Sequence, residues 1–231
     1  MMKTYVINLD RNPERLASIR DQLGRLGIAF ERFPAIWGRG LSDAERKRGF
    51  SRIRSFIASR KRLSDAEIGV ALSHVGVCRR MVADRVPCAL VFEDDVILGE
   101  GFAEALARAE AFLDPGAAQL AVFSGYGVGN AAVLPPEIRR EKAIWCADAY
   151  CLTREAAKLI LKANDPVITV ADSFKRWRRH FGLELYRVLP ATVRQDDVSF
   201  KSENLNAPKA NWLVRNLMRV LDRILVKVTG R

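Results

Sequence analysis

The sequence predicts an α/β fold built on a mostly parallel central sheet, and three observations carry that reading. First, the chain opens as a βαβ unit: an apolar strand over residues 4–9, a helical repeat of Leu16, Ile19, Leu23 and Leu26, then a second strand over 29–33. Second, the short run 89–92 is wholly apolar and lies between Pro87 and a set of carboxylates, the pattern of a strand covered on both faces. Third, strand-like and helical segments go on alternating to Leu189, and 231 residues suffice for one sizeable domain with a buried core.

In the first unit, Asn12 stands as a helix N-cap with Pro13 at the first helical position, where a missing N–H costs nothing, and Gly24 and Gly27 close the helix. The turn Asp10-Arg11-Asn12 thus lies at a strand's carboxyl end beside a helix N-terminus. Such a place suits an anion, and Arg11 and Arg15 would flank it. Both arginines can equally be exposed helix-start residues.

Residues 38–62 are strongly basic with weak periodicity, which reads as a functional loop or mobile lid offering positive charge to an acidic acceptor. Phe50, Ile53, Phe56 and Ile57 recur at helical spacing and allow a short amphipathic helix instead. Ser64 and Glu67 fit a capping box at the start of a helix reaching Ala83, which gives Glu67 a structural task. Ser73 and His74 fall inside that helix, where a lone histidine is more often a satisfied core residue than a ligand.

Glu93, Asp94 and Asp95 follow the apolar run at once. Strand carboxyl ends face the ligand crevice in open α/β sheets, so three negative charges stand where a ligand would sit. On an extended backbone Glu93 and Asp95 project to one side and Asp94 to the other. They repel one another unless a positive charge joins them, and a divalent cation with oxygen ligands, Mn2+ or Mg2+, is the economical candidate. Such an ion would in turn hold a diphosphate. The bland alternative is that these acids cap the next element or are simply solvated.

Further on, 101–113 reads as a helix and 120–124 as a strand. Gly125-Tyr126-Gly127-Val128-Gly129 lacks the G-x-G-x-x-G spacing and precedes no helix, so a flexible loop over the site is expected instead of a dinucleotide fingerprint. Residues 143–152 read as one bent or two short strands, Thr153 caps a helix through Ala163, and Asp165-Pro166 breaks it. Asp172 either caps the helix of Phe174, Trp177 and Phe181 or presents a carboxylate to the crevice. Residues 185–189 read as a strand and 193–199 as a polar loop.

The tail differs in kind. Between 212 and 228, Leu213, Leu217, Leu221, Ile224, Leu225 and Val228 share one side while Arg215, Arg219, Arg223 and Lys227 repeat every fourth residue. The expected organisation is a domain over 1–209 and a basic amphipathic helix over 210–231, lying on an anionic inner-leaflet membrane surface or docking on the domain.

A formal charge of +11 points to a polyanionic partner: nucleic acid, an anionic membrane or a phosphorylated substrate. A non-catalytic nucleic-acid-binding module would interleave basic residues with exposed aromatics on one face, whereas here the positive charge is divided among separate segments. No stretch approaches the roughly 18 apolar residues of a membrane span, and the start lacks the apolar core of a signal peptide. A cytoplasmic location, peripheral at the inner membrane through the tail, is the expectation. Cys78, Cys88, Cys146 and Cys151 form no C-x-x-C pair and read as reduced thiols, and two histidines argue against a histidine-rich zinc site.

Four blocks, taken in order, carry a resemblance: Val6-Ile7-Asn8-Leu9-Asp10-Arg11-x-x-x-Arg15, Leu63-Ser64-Asp65-Ala66-Glu67-Ile68-Gly69-x-x-x-Ser73-His74, Leu90-Val91-Phe92-Glu93-Asp94-Asp95 and Ala149-Tyr150-x-Leu152-x-Arg154-x-Ala156-Ala157. Together they resemble glycosyltransferase family 25, which holds bacterial lipooligosaccharide β-galactosyltransferases and collagen galactosyltransferases. Residues 190–199, with Gln195 and Ser199, look like the family's closing block. The resemblance implies a GT-A-like nucleotide-sugar fold and inverting transfer of a hexose, commonly galactose from UDP-galactose, to a lipopolysaccharide, lipooligosaccharide or other lipid-linked or core glycan. By position it implies Glu93 and Asp95 as metal ligands, and Asn8, Asp10, Arg11, Arg15, Glu67, Ser73, His74 and Asp94 around the nucleotide sugar. Asp172 stands at a family aspartate, although Pro166 lies further from it than the family pattern has it. An acceptor hydroxyl needs a base within hydrogen-bond reach, for which Asp172 is the first candidate and Asp148 the second. A family member that keeps the fold without turnover is the remaining alternative.

Overall fold

The computed structural model describes residues 2–127, 129, 133–196 and 212–230, the side chains of 212–215 excepted. The opening unit forms as its pattern dictates: β1 (Lys3–Asn8), α1 (Pro13–Arg25) and β2 (Glu31–Pro34), with β2 parallel to β1. Pro13 does begin α1, but the Asn12 side chain makes no capping bond. Asn12 serves through its backbone carbonyl, which accepts from the Asn8 amide at 2.9 Å.

Residues 38–62 are not a loop. After a 3-10 turn (Gly38–Gly40) come α2 (Asp43–Gly49) and α3 (Arg52–Ser59). Ser42 and Glu45 complete a capping box on α2, a second copy of the signal that starts α4 (Asp65–Ala83) at Ser64 and Glu67. On α3 the buried residues are Ser55 and Ala58, while Ile53 faces solvent.

The acidic strand is β3 (Cys88–Glu93), and the chain turns at Asp94-Asp95 into the short β4 (Val96–Leu98). There follow α5 (Phe102–Phe112), β5 (Gln119–Val122), β6 (Glu137–Arg140), β7 (Ala149–Thr153), α6 (Arg154–Asn164), α7 (Phe174–Phe181), β8 (Glu184–Leu189), β9 (Val193–Gln195) and α8 (Trp212–Thr229). Two expectations are corrected here, and one strand appears where none was read. Residues 143–148 are irregular, so only β7 forms where a bent strand or strand pair was expected. The charged segment Glu-Ile-Arg-Arg is β6, an edge strand antiparallel to β8. Residues 193–195, expected as loop, pair antiparallel with β4. Residues 197–199 of that expected loop, and Val128 of the glycine loop, lie outside the described residues.

Among the described residues the main sheet runs β2-β1-β3-β7-β5-β8-β6, with β7 and β6 reversed against the other five. It is therefore mostly parallel in strand sense, as expected. Alternation along β1 and β3 divides the core in two. Tyr5 and Val91 face α4, α6 and α7 with Met81, Ile160 and Trp177, whereas Val6 and Phe92 face α1 and α5 with Ile19, Leu23 and Phe102. Chain order reverses at β1: β2 lies to one side, β3 to the other. The crevice outside the carboxyl ends of β1 and β3 is the topological switch point, where open α/β sheets take their ligands.

The tail helix α8 rests against α3 and is fastened by an Arg176–Asp222 ion pair at 2.7 Å. Leu217, Val220, Ile224 and Val228 nevertheless stay exposed along another side. The side chains of Leu213 and Arg215, part of the expected amphipathic pattern, lie outside the described ones.

Candidate functional site

At the switch point Ile7 is in register with Glu93, so β1 and β3 deliver Asn8 and the three acids side by side. Asn8 is 2% exposed and fully used: its amide donates to Asp94 Oδ2 at 2.6 Å and to the Asn12 carbonyl, and its oxygen accepts from Arg32 Nε at 2.9 Å. Arg32 also pairs with Asp10. That pairing keeps Asp10, 87% exposed, off the lining of the cleft that the acids share.

Arg15, in the first turn of α1, reaches Asp94 Oδ1 at 3.5 Å and Asp95 Oδ2 at 3.2 Å. Because the backbone turns after Glu93, the alternation expected of an extended strand fails here. Asp94 and Asp95 both meet Arg15, and Glu93 goes to α4. Asp95 Oδ1 is buried with no hydrogen-bond partner. Burial raises the pKa of Asp94 against the opposing effect of Asn8 and Arg15, and pushes Asp95 up to about 6. Glu93 is held well above the usual carboxylate range by burial and then by the charges of Asp95, Asp148 and Asp94.

His74 lies 2.8 Å from the Tyr150 hydroxyl through Nδ1 and 3.2 Å from Glu93 Oε1 through Nε2. Burial lowers its pKa to about 4, so the ring is neutral at pH 7 and its contact with Glu93 is a hydrogen bond rather than an ion pair. With Glu93 ionised, Nε2–H donates to the carboxylate and Nδ1 accepts from Tyr150. Ser73 has backbone work: Oγ accepts from Ile36 N–H and donates to the Gly69 carbonyl, both at 2.8 Å. This stitches α4 to the chain after β2. The two backbones meet so closely there that a Cβ on Gly69 would lie 2.5 Å from the Ile36 carbonyl oxygen.

The resulting open cleft has an empty volume of about 790 Å³ and is lined by Asn12, Arg15, Trp37, Arg39, Ser73, His74 and the three acids. Arg11 does not line it; its guanidinium stacks 5.0 Å over Trp37, whose indole is 47% exposed. A second cleft of about 1090 Å³ includes Lys61, Glu67, Tyr126, Trp145, Asp172 and Gln195. Glu93 and Val70 belong to both clefts. Glu67 completes the α4 capping box and pairs with Lys61, which places it at the second cleft and not the first. Ser173 precedes α7 without a side-chain cap, and Asp172 turns instead to accept from Cys146 N–H at 3.1 Å. Asp148 is 2% exposed, accepts from Ala149 N–H and lines neither cleft.

Several residues escaped sequence reading. Trp37, Tyr126 and Trp145 are exposed aromatics on cleft walls. Of these only Tyr126 carried a signal, its place in the glycine loop expected over the site. Arg187 is buried under the glycine loop, bonded to the carbonyls of Ser124 and Tyr126. Its role was invisible because β8 reads simply as a strand.

Among the described residues no three or more His, Cys, Asp or Glu side chains converge to hold an ion unaided. The donor chemistry of Glu93 and Asp95, with one unpartnered carboxylate oxygen, fits a hard cation that takes its remaining oxygens from phosphate and water. Among the described residues no helix is long and apolar enough to cross a membrane.

The sequence model of glycosyltransferase family 25 (LPS biosynthesis protein) matches residues 1–126, more than half of the chain. The lacto-N-neotetraose biosynthesis glycosyltransferase LgtB of Neisseria meningitidis serogroup B is 34% identical over 108 residues, 46% of this chain and 38% of its own length. LgtE from the same serogroup is 28% identical over 212 residues, 84% of this chain and 74% of its own length. A glycosyltransferase 25 family member from Aedes aegypti is 37% identical over 95 residues, 40% of this chain and 16% of its own length. The chain thus spans well under two thirds of relatives such as LgtB.

Proposed function

The chain belongs to glycosyltransferase family 25, and on that footing we propose that it moves a hexose, galactose from UDP-galactose foremost, onto a cell-envelope oligosaccharide with inversion at the anomeric carbon. The observation that carries this reading is the juxtaposition at Glu93. One cleft has acids, Arg15 and an exposed indole suited to a nucleotide diphosphate; the other has two exposed aromatics suited to a sugar and an available carboxylate, Asp172. A GT-A-like arrangement agrees with the site's position at the switch point.

In this scheme Trp37 stacks on the base, with Arg11 holding the indole from its other side, and Arg15 faces the diphosphate. Glu93 and Asp95 would hold Mn2+ or Mg2+, which supplies charge neutralisation to the departing diphosphate. Asn8 and Asp94 brace the strand ends, and His74 orients the Glu93 carboxylate. The acceptor lies across Trp145 and Tyr126. Asp172 takes its hydroxyl proton while the oxygen forms a bond to the anomeric carbon from the face opposite the phosphate. The sugar–phosphate C–O bond breaks and its electron pair leaves with UDP. Asp148, walled in, is set aside as the base.

The exposed stripe Leu217, Val220, Ile224 and Val228, with Lys227 beside it, supports a peripheral hold on an anionic membrane where lipid-linked acceptors reside. The nucleic-acid reading loses ground, because Trp37 and Trp145 sit with carboxylates in clefts rather than along one cationic face. Slow release of sugar from a panel of UDP-hexoses with Mn2+ tests the proposal. Release by the native chain but not by Asp95→Ala would support it, and equal release by both would remove the acidic tip from the chemistry.

A further inference from the structure

Past Asp172 and Trp145 the second cleft continues into a third depression, about 1380 Å³ in empty volume, between the end of α3 and the helices α7 and α8. Lys61, Trp145, Val170 and Asp172 line both, so the two are continuous. The walls bring Lys175, Arg176 and Arg179 of α7 opposite Arg219 and Arg223 of α8. Of the two acids present, Asp222 pairs with Arg176, while Asp172 accepts from Cys146 N–H at the mouth shared with the second cleft and, among the described residues, forms no ion pair with the groove's cations. Among the described residues no carboxylate pairs with Lys175, Arg179, Arg219 or Arg223, and Arg176 Nη1 is buried without an acceptor. Two helices are therefore clamped together, through one ion pair, with their cations facing. The arrangement repels itself until an anion enters, and guanidinium groups bind phosphate oxygens with directional, charge-assisted hydrogen bonds.

We propose that this groove is a phosphate subsite for the acceptor: it holds a phosphate group carried by the glycan being extended, while the sugar that receives the hexose lies at Asp172. Assigning the phosphate to an acceptor rests on the transferase reading; anion binding by the groove does not. The same chemistry could come from a lipid headgroup, and the test separates the two sources.

The experiment is calorimetric titration of the full chain, saturated with UDP and Mg2+, with glucose 6-phosphate as probe and glucose as neutral control. Two double variants take one wall each, Arg219→Gln with Arg223→Gln and Lys175→Gln with Arg179→Gln. All four side chains are exposed, and unchanged UDP affinity verifies folding. The expected result is saturable binding of glucose 6-phosphate but not glucose, weakened about tenfold in each double variant and by added salt. Equal binding in all forms, no binding, or binding only when UDP is omitted would overturn the proposal. Phosphatidylglycerol vesicles form the second arm. Vesicle binding lost in both variants, with no binding of glucose 6-phosphate, would give these cations to lipid headgroups and overturn it as well. Should UDP itself fail to bind, the transferase reading falls, and the glucose 6-phosphate arm run without UDP still decides the groove.

Discussion

His74 Nε2 lies 3.2 Å from Glu93 Oε1, joining the middle of α4 to the tip of β3 through a neutral imidazole. The two groups pull the pH dependence of stability in opposite directions. His74, lowered from 6.5 to about 4, contributes stability that is complete above 6.5 and is lost as pH falls toward 4, because the unfolded chain takes up a proton that the folded ring refuses. Glu93, raised above 4.5, contributes stability that is complete below that value and is lost as pH rises through its folded pKa. Replacing His74→Gln should flatten the acid limb of the stability curve by up to about 3 kcal/mol, read by urea denaturation at intervals from pH 7 to 4. An acid limb identical to that of the native chain would mean that the ring titrates as if exposed.

Asn8 holds β1, Asp94 and Arg32 in one network. Asn8→Ala would leave the buried Asp94 carboxylate short of its 2.6 Å donor, and a loss of about 2–4 kcal/mol is expected in chemical denaturation. A loss under about 0.5 kcal/mol would show that the network is dispensable.

Gly69 and Gly38 let α4 and the segment after β2 touch backbone to backbone. A Cβ on Gly69 would stand 2.5 Å from the Ile36 oxygen and 2.6 Å from the Gly38 nitrogen. Neither neighbour is a flexible side-chain end, so Gly69→Ala must push the two segments apart, at about 1–3 kcal/mol, and with them the Trp37 side of the first cleft. The expected readout is lower thermal stability together with weaker UDP binding. A variant with both unchanged would contradict the packing described.

The Arg176–Asp222 side chains are 9% and 8% exposed. Removing only the acid by Asp222→Ala leaves a buried guanidinium and should cost about 3–5 kcal/mol of the docking of α8, seen as faster proteolysis of the tail. Arg176→Met with Asp222→Leu should restore much of that protection. Separately, Leu217→Ser with Ile224→Ser should reduce co-flotation with anionic vesicles while leaving proteolysis of the tail unchanged. Undiminished flotation would remove the exposed stripe from membrane contact.

How much of this was legible in the sequence follows the range of the interactions. The elements β1, α1, α4, β3 and α6 announce themselves locally, through apolar runs, Pro13, the Ser64 and Glu67 capping box and the Thr153 cap. The pair β4 and β9 does not, because three-residue strands exist only through a partner some hundred residues away. Likewise β6 looks charged and unstructured until β8 supplies its edge. The acids, Arg15 and His74, which line the first cleft, were legible as candidates because they sit on or next to those local elements. The aromatic walls, Arg187 and the cation groove depend on the convergence of distant segments. Asp10 and Asp148 lie off both clefts for a related reason: chain position puts them near the strand tips, but Arg32 draws one outward and the packing around β7 seals the other in.

The most direct measurement is UDP binding with and without Mn2+, in the native chain and in Asp95→Asn, by calorimetry. If a cation at Glu93 and Asp95 grips the donor's diphosphate, Mn2+ strengthens UDP binding to the native chain by about tenfold or more and has little effect on the variant. Binding that is indifferent to Mn2+ in the native chain, or equally enhanced in both proteins, would contradict the claim on which the rest depends.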